Sequence, residues 1–272
     1  MKVKFIGKPN LNLHTADDSL RRTFVSVFFS MAITAFTACT NYKNKSNTPT
    51  GGVAQILLFN GTGTSPNDVN AIEAILNNNH LYYTTANSSE LNGMSELQMQ
   101  NYRLLIIPGG NFIDMGKSLT PATTARVRNS VKHGLNYLGI CAGGFLAGKS
   151  IYYNGFNLTS GACFGFYAAE NQGIRKAALA ITTPGAPAQD QYWEDGPQFA
   201  GWGAVAGKYP DGTPAIVQGT YGEGWIMLVG FHAEAPEDWR TGIKFNTSTS
   251  ADNGYAGLII RSALNRAPLP HY

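Results

Sequence analysis

Cysteine is scarce in this 272-residue chain, with three residues at positions 39, 141 and 163. Three thiols cannot build a disulfide framework, so the fold must rest on its core. Charge is scarce too, at 14% of residues. Residues 1–39 hold five basic side chains (Lys2, Lys4, Lys8, Arg21, Arg22) and two acidic ones (Asp17, Asp18), which leaves the rest balanced at 15 of each sign. No Lys/Arg stripe remains to serve as a nucleic-acid footprint, so no nucleic-acid partner is expected. There is no metal-ligand spacing and no phosphate loop, so neither a metal nor a cofactor is expected. The apolar run "TFVSVFFSMAITAFTA" is too short and too rich in Ser and Thr for a membrane span. What is abundant is apolar side chain, 43%, and glycine, 31 residues. That is enough for one large α/β domain with a sizeable core.

The apolar run follows Arg21-Arg22 and ends in small residues before Cys39. This is the layout of an export signal, read here as 1–39. "RRTFV" faintly resembles a twin-arginine signal, with the serine displaced to Ser19, and "FTAC" resembles the lipobox of bacterial lipoproteins, with Phe36 where Leu is commoner. Two outcomes stand open: lipidation of Cys39, giving a membrane-anchored lipoprotein, or plain secretion with Cys39 lost or unmodified. Either places the mature chain outside the cytoplasm, in the periplasm or on a membrane. Residues 40–52, "TNYKNKSNTPTGG", are polar and read as a flexible tether. Residues 53–272 read as one domain.

Within that domain, continuous apolar runs alternate with helix-like segments up to about Ser150. "QILLFNG", "LYYTTA", "YRLLIIPGG" and "NYLGI" read as strands. Ser65-Pro66 and Thr120-Pro121 are helix starts, and Gly134 is a helix stop. Fully apolar strands joined by helices imply a mostly parallel sheet covered on both faces. Ligands in such sheets bind at the carboxyl ends of the strands. After Ser150 the texture changes. "LAITT" (179–183), "AVAGKY" (204–209), "AIVQGTY" (215–221) and "GWIMLVGFH" (224–232) read as strands, with a hairpin at "TYGEGW". A closing helix is expected over 255–265. The aromatic stretch "DQYWEDGPQFAGW" (190–202) reads as a loop that either recognises a ligand or covers the sheet.

One stretch carries chemistry: "YLGICAGGFLAG", residues 137–148. Cys141 falls where an apolar strand must turn sharply into a helix. Gly139, Ala142, Gly143 and Gly144 are small where a side chain would clash. Such a turn lifts the sulfur out at the sheet edge and sets it at the positive end of a helix, the geometry of a nucleophile elbow with Cys in place of Ser. A thiol nucleophile needs a base, and the base an orienting acid. The chain offers five histidines. His14 is in the leader and His271 at the end; His133 reads as a helix cap and His80 as an exposed turn residue. His232 ends the apolar strand "WIMLVGF" and so emerges where Cys141 does. Glu234 follows two residues later, with Glu237 and Asp238 as other carboxylates able to orient the ring. Cys163, in "GACFGF", has no such frame and reads as structural.

"GICAGG" with a later "GFHAEAPEDW" resembles the class I glutamine amidotransferase superfamily, in which an elbow Cys pairs with an H-x-E motif; Ala233 stands where that motif usually has Pro. "LLFNGTGTSPNDV", "LLIIPGGNFIDM", "YLGICAGGFLAG" and "DGTPAIVQGTYGEG" are together similar, in order, to the N-terminal domain of biotin–protein ligases and its stand-alone bacterial relatives (BPL_N). The resemblance runs from about Ala54 to Arg240. It implies an α/β, flavodoxin-like, class I glutamine amidotransferase-like fold. It implies Cys141 as nucleophile, His232 as base and Glu234 as its partner, with Gly109, Gly110 and the Ala142 amide as an oxyanion hole. Asn60, Asn111 and Gly143 are placed at the pocket. No Gly/Arg-rich biotinyl-adenylate loop is present, so biotin ligation is not inferred. Two functions stand open: hydrolysis of a small-molecule or peptide amide by an exported Cys-His-Glu enzyme, or a non-catalytic binding module on the same fold.

Overall fold

The structure, a computed structural model, describes residues 53–168, 173 and 175–272. The leader, Cys39 and the whole tether expected over 40–52 lie outside the described residues. Four apolar runs form strands β1 (Ile56–Phe59), β2 (Tyr83–Ala86), β3 (Leu104–Ile107) and β4 (Asn136–Ile140). Between them lie α1 (Pro66–Asn78), α2 (Ser88–Gly93), α3 (Glu96–Met99), α4 (Phe112–Ser118) and α5 (Pro121–Lys132). Helix α1 starts as its sequence dictates: the Ser65 side chain accepts from the Asp68 amide and Pro66 sits inside the first turn. After β4 come α6 (Ala142–Leu146), β5 (Cys163–Phe166), β6 (Lys176–Thr183), β7 (Ala186–Glu194), β8 (Pro197–Ala200), β9 (Ala204–Lys208), β10 (Pro214–Tyr221), β11 (Gly224–Val229) and α7 (Thr249–Asn265).

Among the described residues nine strands form one sheet in the order β2-β1-β3-β4-β11-β10-β9-β6-β7, while β5 and β8 pair separately. The first five positions are mutually parallel; β10, β9, β6 and β7 extend the sheet antiparallel. The expected mostly parallel, flavodoxin-like sheet is therefore the half that carries the elbow. Strands β1, β3 and β4 are buried along their whole length, as strands covered on both faces must be. Alternate residues feed two cores. Ile56, Leu58, Ile106 and Met227 pack under α1 and α7. Leu57, Phe59, Leu105 and Leu228 pack under α2 to α6.

Two local expectations are corrected. Residues 190–202 are not a loop: most of them lie in β7 and β8, and Tyr192, Trp193 and Phe199 are buried. Trp193 and Phe199 cover the sheet, while Tyr192, Glu194 and Asp195 of the same stretch line a cavity. The closing helix begins at Thr249, six residues earlier than expected, where the Ser248 side chain caps the Ala251 amide. Polar residues and Gly254 hide this start from a periodicity reading, yet Asp252 is buried there against Arg240, 3.2 Å away. Cys163, read as structural, is exposed and free at the start of β5.

Candidate active site

Strand β11 lies beside β4 and parallel to it, with Val229 opposite Ile140. The Cys141 amide donates to the Val229 carbonyl at 2.8 Å. The chain leaving β11 therefore reaches His232 at the same sheet edge where β4 ends at Cys141. The His232 amide is fixed by the Tyr192 carbonyl, also at 2.8 Å, which docks this segment on β7.

Cys141 has φ 48° and ψ −107°. A side-chain-bearing residue holds such a backbone only when its surroundings force it. The force is the close approach of α6 to the sheet. A Cβ on Gly139 would lie 2.4 Å from the Gly143 oxygen, and one on Gly143 would lie 2.1 Å from the Ile107 oxygen. Only glycine lets helix and strand meet this closely. The cysteine that results is 7% exposed, yet it lines a cavity of about 840 Å³. Its Sγ approaches the Glu194 carbonyl at 3.8 Å.

His232 opens on the same cavity and is 4% exposed. Its Nδ1 lies 2.9 Å from Glu234 Oε1 and 3.0 Å from Asp68 Oδ1. A lone pair at Nδ1 would face two carboxylates, so this nitrogen carries the proton. One N–H can serve one acceptor well, and Glu234 takes it as a hydrogen bond. Asp68 Oδ1, also buried, takes the slightly longer contact to the same nitrogen and pairs with the ring as an ion. Burial disfavours a charged His232, but Asp68, the Cys141 sulfur and Glu234 outweigh it and hold the imidazole protonated well above its ordinary range. Burial likewise opposes the Asp68 carboxylate, and the His232 charge prevails and lowers it below the usual value. Because the folded-state value of His232 is raised, its stabilisation is complete below pH ~6.5 and is lost as pH climbs through the raised value. Glu234→Gln is accordingly expected to bring the His232 titration down in pH, read from its ring-proton NMR shifts. An unmoved titration would mean that Glu234 does not hold the ring.

The other residues predicted for the site divide. Gly110 and Ala142 line the cavity. Gly110 faces Thr64 in an isolated antiparallel bridge whose bonds run Ser65 N–H to Gly109 O and Asn111 N–H to Gly63 O. This is the pair that exchanges no bond of its own, so the Gly110 N–H points away from that ladder. Ala142 is the first residue of α6, so its N–H has no partner inside the helix. Gly109 is not on the cavity wall. It leaves room behind it, since a Cβ there would lie 2.2 Å from Asp68 Oδ1 and 2.6 Å from His232 Cε1. Asn111 lines the cavity, but its side-chain oxygen is engaged by the Ile113 and Asp114 amides as the cap of α4. Asn60 is exposed at the end of β1 and lies off the cavity, its amide bonded to Ala86. Gly143 is packed beneath, its amide on the Pro108 carbonyl, and does not line the pocket either. Glu237 and Asp238 are exposed and do not orient the ring, although Asp238 reaches the rim.

Two contributors were not foreseen. Asp68 was hidden because an acid in the first turn of a helix is ordinary dipole chemistry; only the tertiary structure turns it toward His232. Trp239 stands edge-on to the His232 ring at 5.8 Å between centroids and forms part of the cavity wall. Tyr192 donates to Glu194 Oε2 at 2.7 Å; burial and that neighbouring carboxylate push its phenol far up, so it stays a neutral donor. Among the described residues the cluster with metal-ligand proximity is Asp68, His232 and Glu234, all buried.

A parallel sheet with a forced strand-to-helix turn at its centre, and a second parallel strand delivering an H-x-E segment beside it, makes an α/β, flavodoxin-like fold of the kind class I glutamine amidotransferases also have. Two solved structures share this fold at a TM-score of 0.50, each at 12% identity with 79% of this chain and 98% of the other aligned: a putative GMP synthase component from Thermoplasma acidophilum and a glutamine amidotransferase from Thermotoga maritima. A GH42 β-galactosidase from G. stearothermophilus also superposes, at TM-score 0.48 and 12% identity over 80% of this chain, which spans 31% of that enzyme's length. No curated protein matches the sequence. Residues 54–180 match the family described as "Biotin-protein ligase, N terminal". The matched segment contains Asp68, the Pro-Gly-Gly turn and the Cys141 elbow, and ends before His232.

Proposed function

We propose that this protein is a cysteine-dependent hydrolase of a C–N amide bond. The observation that carries the reading is the meeting of a strained elbow cysteine and a carboxylate-held imidazole in one cavity. In this mechanism Cys141 and His232 rest as a thiolate–imidazolium pair, the thiol proton already on His232, and the Cys141 thiolate attacks the amide carbonyl carbon. A C–S bond forms and the carbonyl π pair moves onto oxygen, which accepts from the Gly110 and Ala142 amides. His232 then protonates the amide nitrogen, the C–N bond breaks and the amine leaves. Water attacks the thioester with His232 taking its proton; the C–S bond breaks and the acid departs. Glu234 keeps Nδ1–H pointed away from the sulfur, so that Nε2 is the nitrogen that exchanges protons.

The export signal read over 1–39 is part of this proposal. It places the reaction outside the cytoplasm, with Cys39 as the lipid attachment point in the anchored form and peptide or other small amides as the substrate class. The direct test is to incubate the protein with a panel of small amides and the activated ester p-nitrophenyl acetate and to look for an acyl adduct by peptide mass spectrometry. Acylation of Cys141 and not of the exposed Cys163 is the expected outcome. Acylation confined to Cys163, or none, refutes the mechanism.

A further inference from the structure

The substituents on the carbon under attack have different places to go. In the proposed reaction its oxygen turns to the Gly110 and Ala142 amides and its nitrogen to His232, which leaves the acyl group to be placed. Sheet order gives the direction. Strands β3, β4 and β11 are neighbours in that order, so Cys141, after β4, stands between the turn after β3 and His232 after β11. His232 lies between Phe231 and Ala233, which belong to the core under α1 and α7. The turn after β3 leads into α4, and Cys141 leads into α6; Met115 of α4 and Leu146 of α6 belong to the core on the opposite face.

Each of these two helices brings an aromatic ring to the cavity within its first turns. Phe112 is two residues past Gly110, Phe145 is three past Ala142, and both line the cavity. Their rings stack, with 4.4 Å between centroids. Phe166, the last residue of β5, is tilted against both, 5.0 Å from Phe145 and 6.0 Å from Phe112. The stacking of Phe112 on Phe145 joins α4 to α6 and is packing. Phe166 is different: it lines the cavity and is 42% exposed, so much of its ring is left in water. A contiguous apolar wall left open beside a nucleophile is a surface that a ligand can cover. The rings lie on the α4 and α6 side of Cys141, away from His232, where the acyl group must point.

We propose that Phe112, Phe145 and Phe166 form an acyl pocket, and that the substrate carries an aromatic or large aliphatic group on its carbonyl carbon rather than on its nitrogen. This rests on the hydrolase reading for the bond that is cut. The preference of the rings for an apolar group beside the sulfur does not, and the test separates the two. In a Cys163→Ser background, Cys141 is acylated with trifluoroethyl acetate and trifluoroethyl phenylacetate. Separately, it is labelled with methyl and benzyl methanethiosulfonates. Both reactions are followed by intact-protein mass spectrometry, and each rate is divided by that of the same reagent with 2-mercaptoethanol. The phenylacetyl-to-acetyl and benzyl-to-methyl ratios are expected to be about tenfold or more. Phe166→Ala is expected to cut both ratios at least about threefold. Leu258→Ala, at an apolar residue of α7 that is 50% exposed and off the cavity, is expected to leave them unchanged. Among amides, N-methyl phenylacetamide is expected to be cleaved faster than N-benzyl acetamide, which carries the same ring on its nitrogen. Acylation without aromatic preference, a preference for the ring on nitrogen, or ratios unmoved by Phe166→Ala overturn the pocket and leave the hydrolase reading standing. If no ester acylates Cys141, the hydrolase reading falls and the methanethiosulfonate ratio decides. A benzyl preference that Phe166→Ala removes then keeps the ring site, and a ratio near one ends it.

Discussion

Alanine at Cys141 is expected to lower amide hydrolysis at least about a thousandfold while the protein stays folded. The loss is large because the sulfur is the atom that forms the covalent bond, and no neighbouring side chain can replace it. Folding survives because alanine keeps a Cβ and almost the same volume. The φ of 48° is imposed by the packing of α6 on the sheet, not by the sulfur. His232→Ala should cost a similar amount, and the double variant little more than either single one, since the two groups act as a unit. The measurement is turnover of whichever amide acylates Cys141, with circular dichroism as the check on folding. Activity within about tenfold of the parent in Cys141→Ala would remove this residue from the mechanism.

Gly143→Ala is expected to destabilise the protein by more than about 3 kcal/mol, or to prevent folding. A methyl group there would sit 2.1 Å from the Ile107 oxygen and 2.8 Å from its carbonyl carbon. Those atoms belong to a central strand buried along its length and cannot retreat. Helix α6 would have to lift from the sheet, and the Gly143 to Pro108 hydrogen bond would go with it. Gly254→Ala is the matched comparison: it lies inside α7 with nothing within 4 Å of the added carbon. There the same substitution should stabilise by about 0.5–1 kcal/mol, because it removes only unfolded-state freedom. Urea unfolding of both variants decides the matter. A loss under about 1 kcal/mol at Gly143 would mean that the elbow is looser than its geometry indicates.

The site was legible in the sequence to the extent that it is local. Cys141 could be read because a strand, a run of small residues and a helix start are neighbours in the chain. His232 and Glu234 could be read because they follow an apolar strand at a short fixed spacing. Gly110 and Ala142 came from the family resemblance rather than from the local pattern. Asn60 and Gly143 were misplaced for a common reason: a strand end or a glycine near the nucleophile has several directions to face, and only packing selects one. The aromatic stretch over 190–202 was misread because Asp195-Gly196 looks like the middle of a loop, whereas it is the tight link between two strands.

By itself, then, the chain determined the alternation of strand and helix up to α6, the forced turn at Cys141 and the identity of the imidazole and acid that accompany it. These are short-range matters, governed by backbone sterics and by apolar periodicity. The tertiary structure alone decided that β11 inserts beside β4 rather than at an edge, that the antiparallel strands extend the sheet on its far side, and that Asp68, far earlier in the chain than His232, shares its ring nitrogen. Sheet order and side-chain convergence depend on which distant surfaces bury each other best, and that competition is settled over the whole core at once rather than within any one segment.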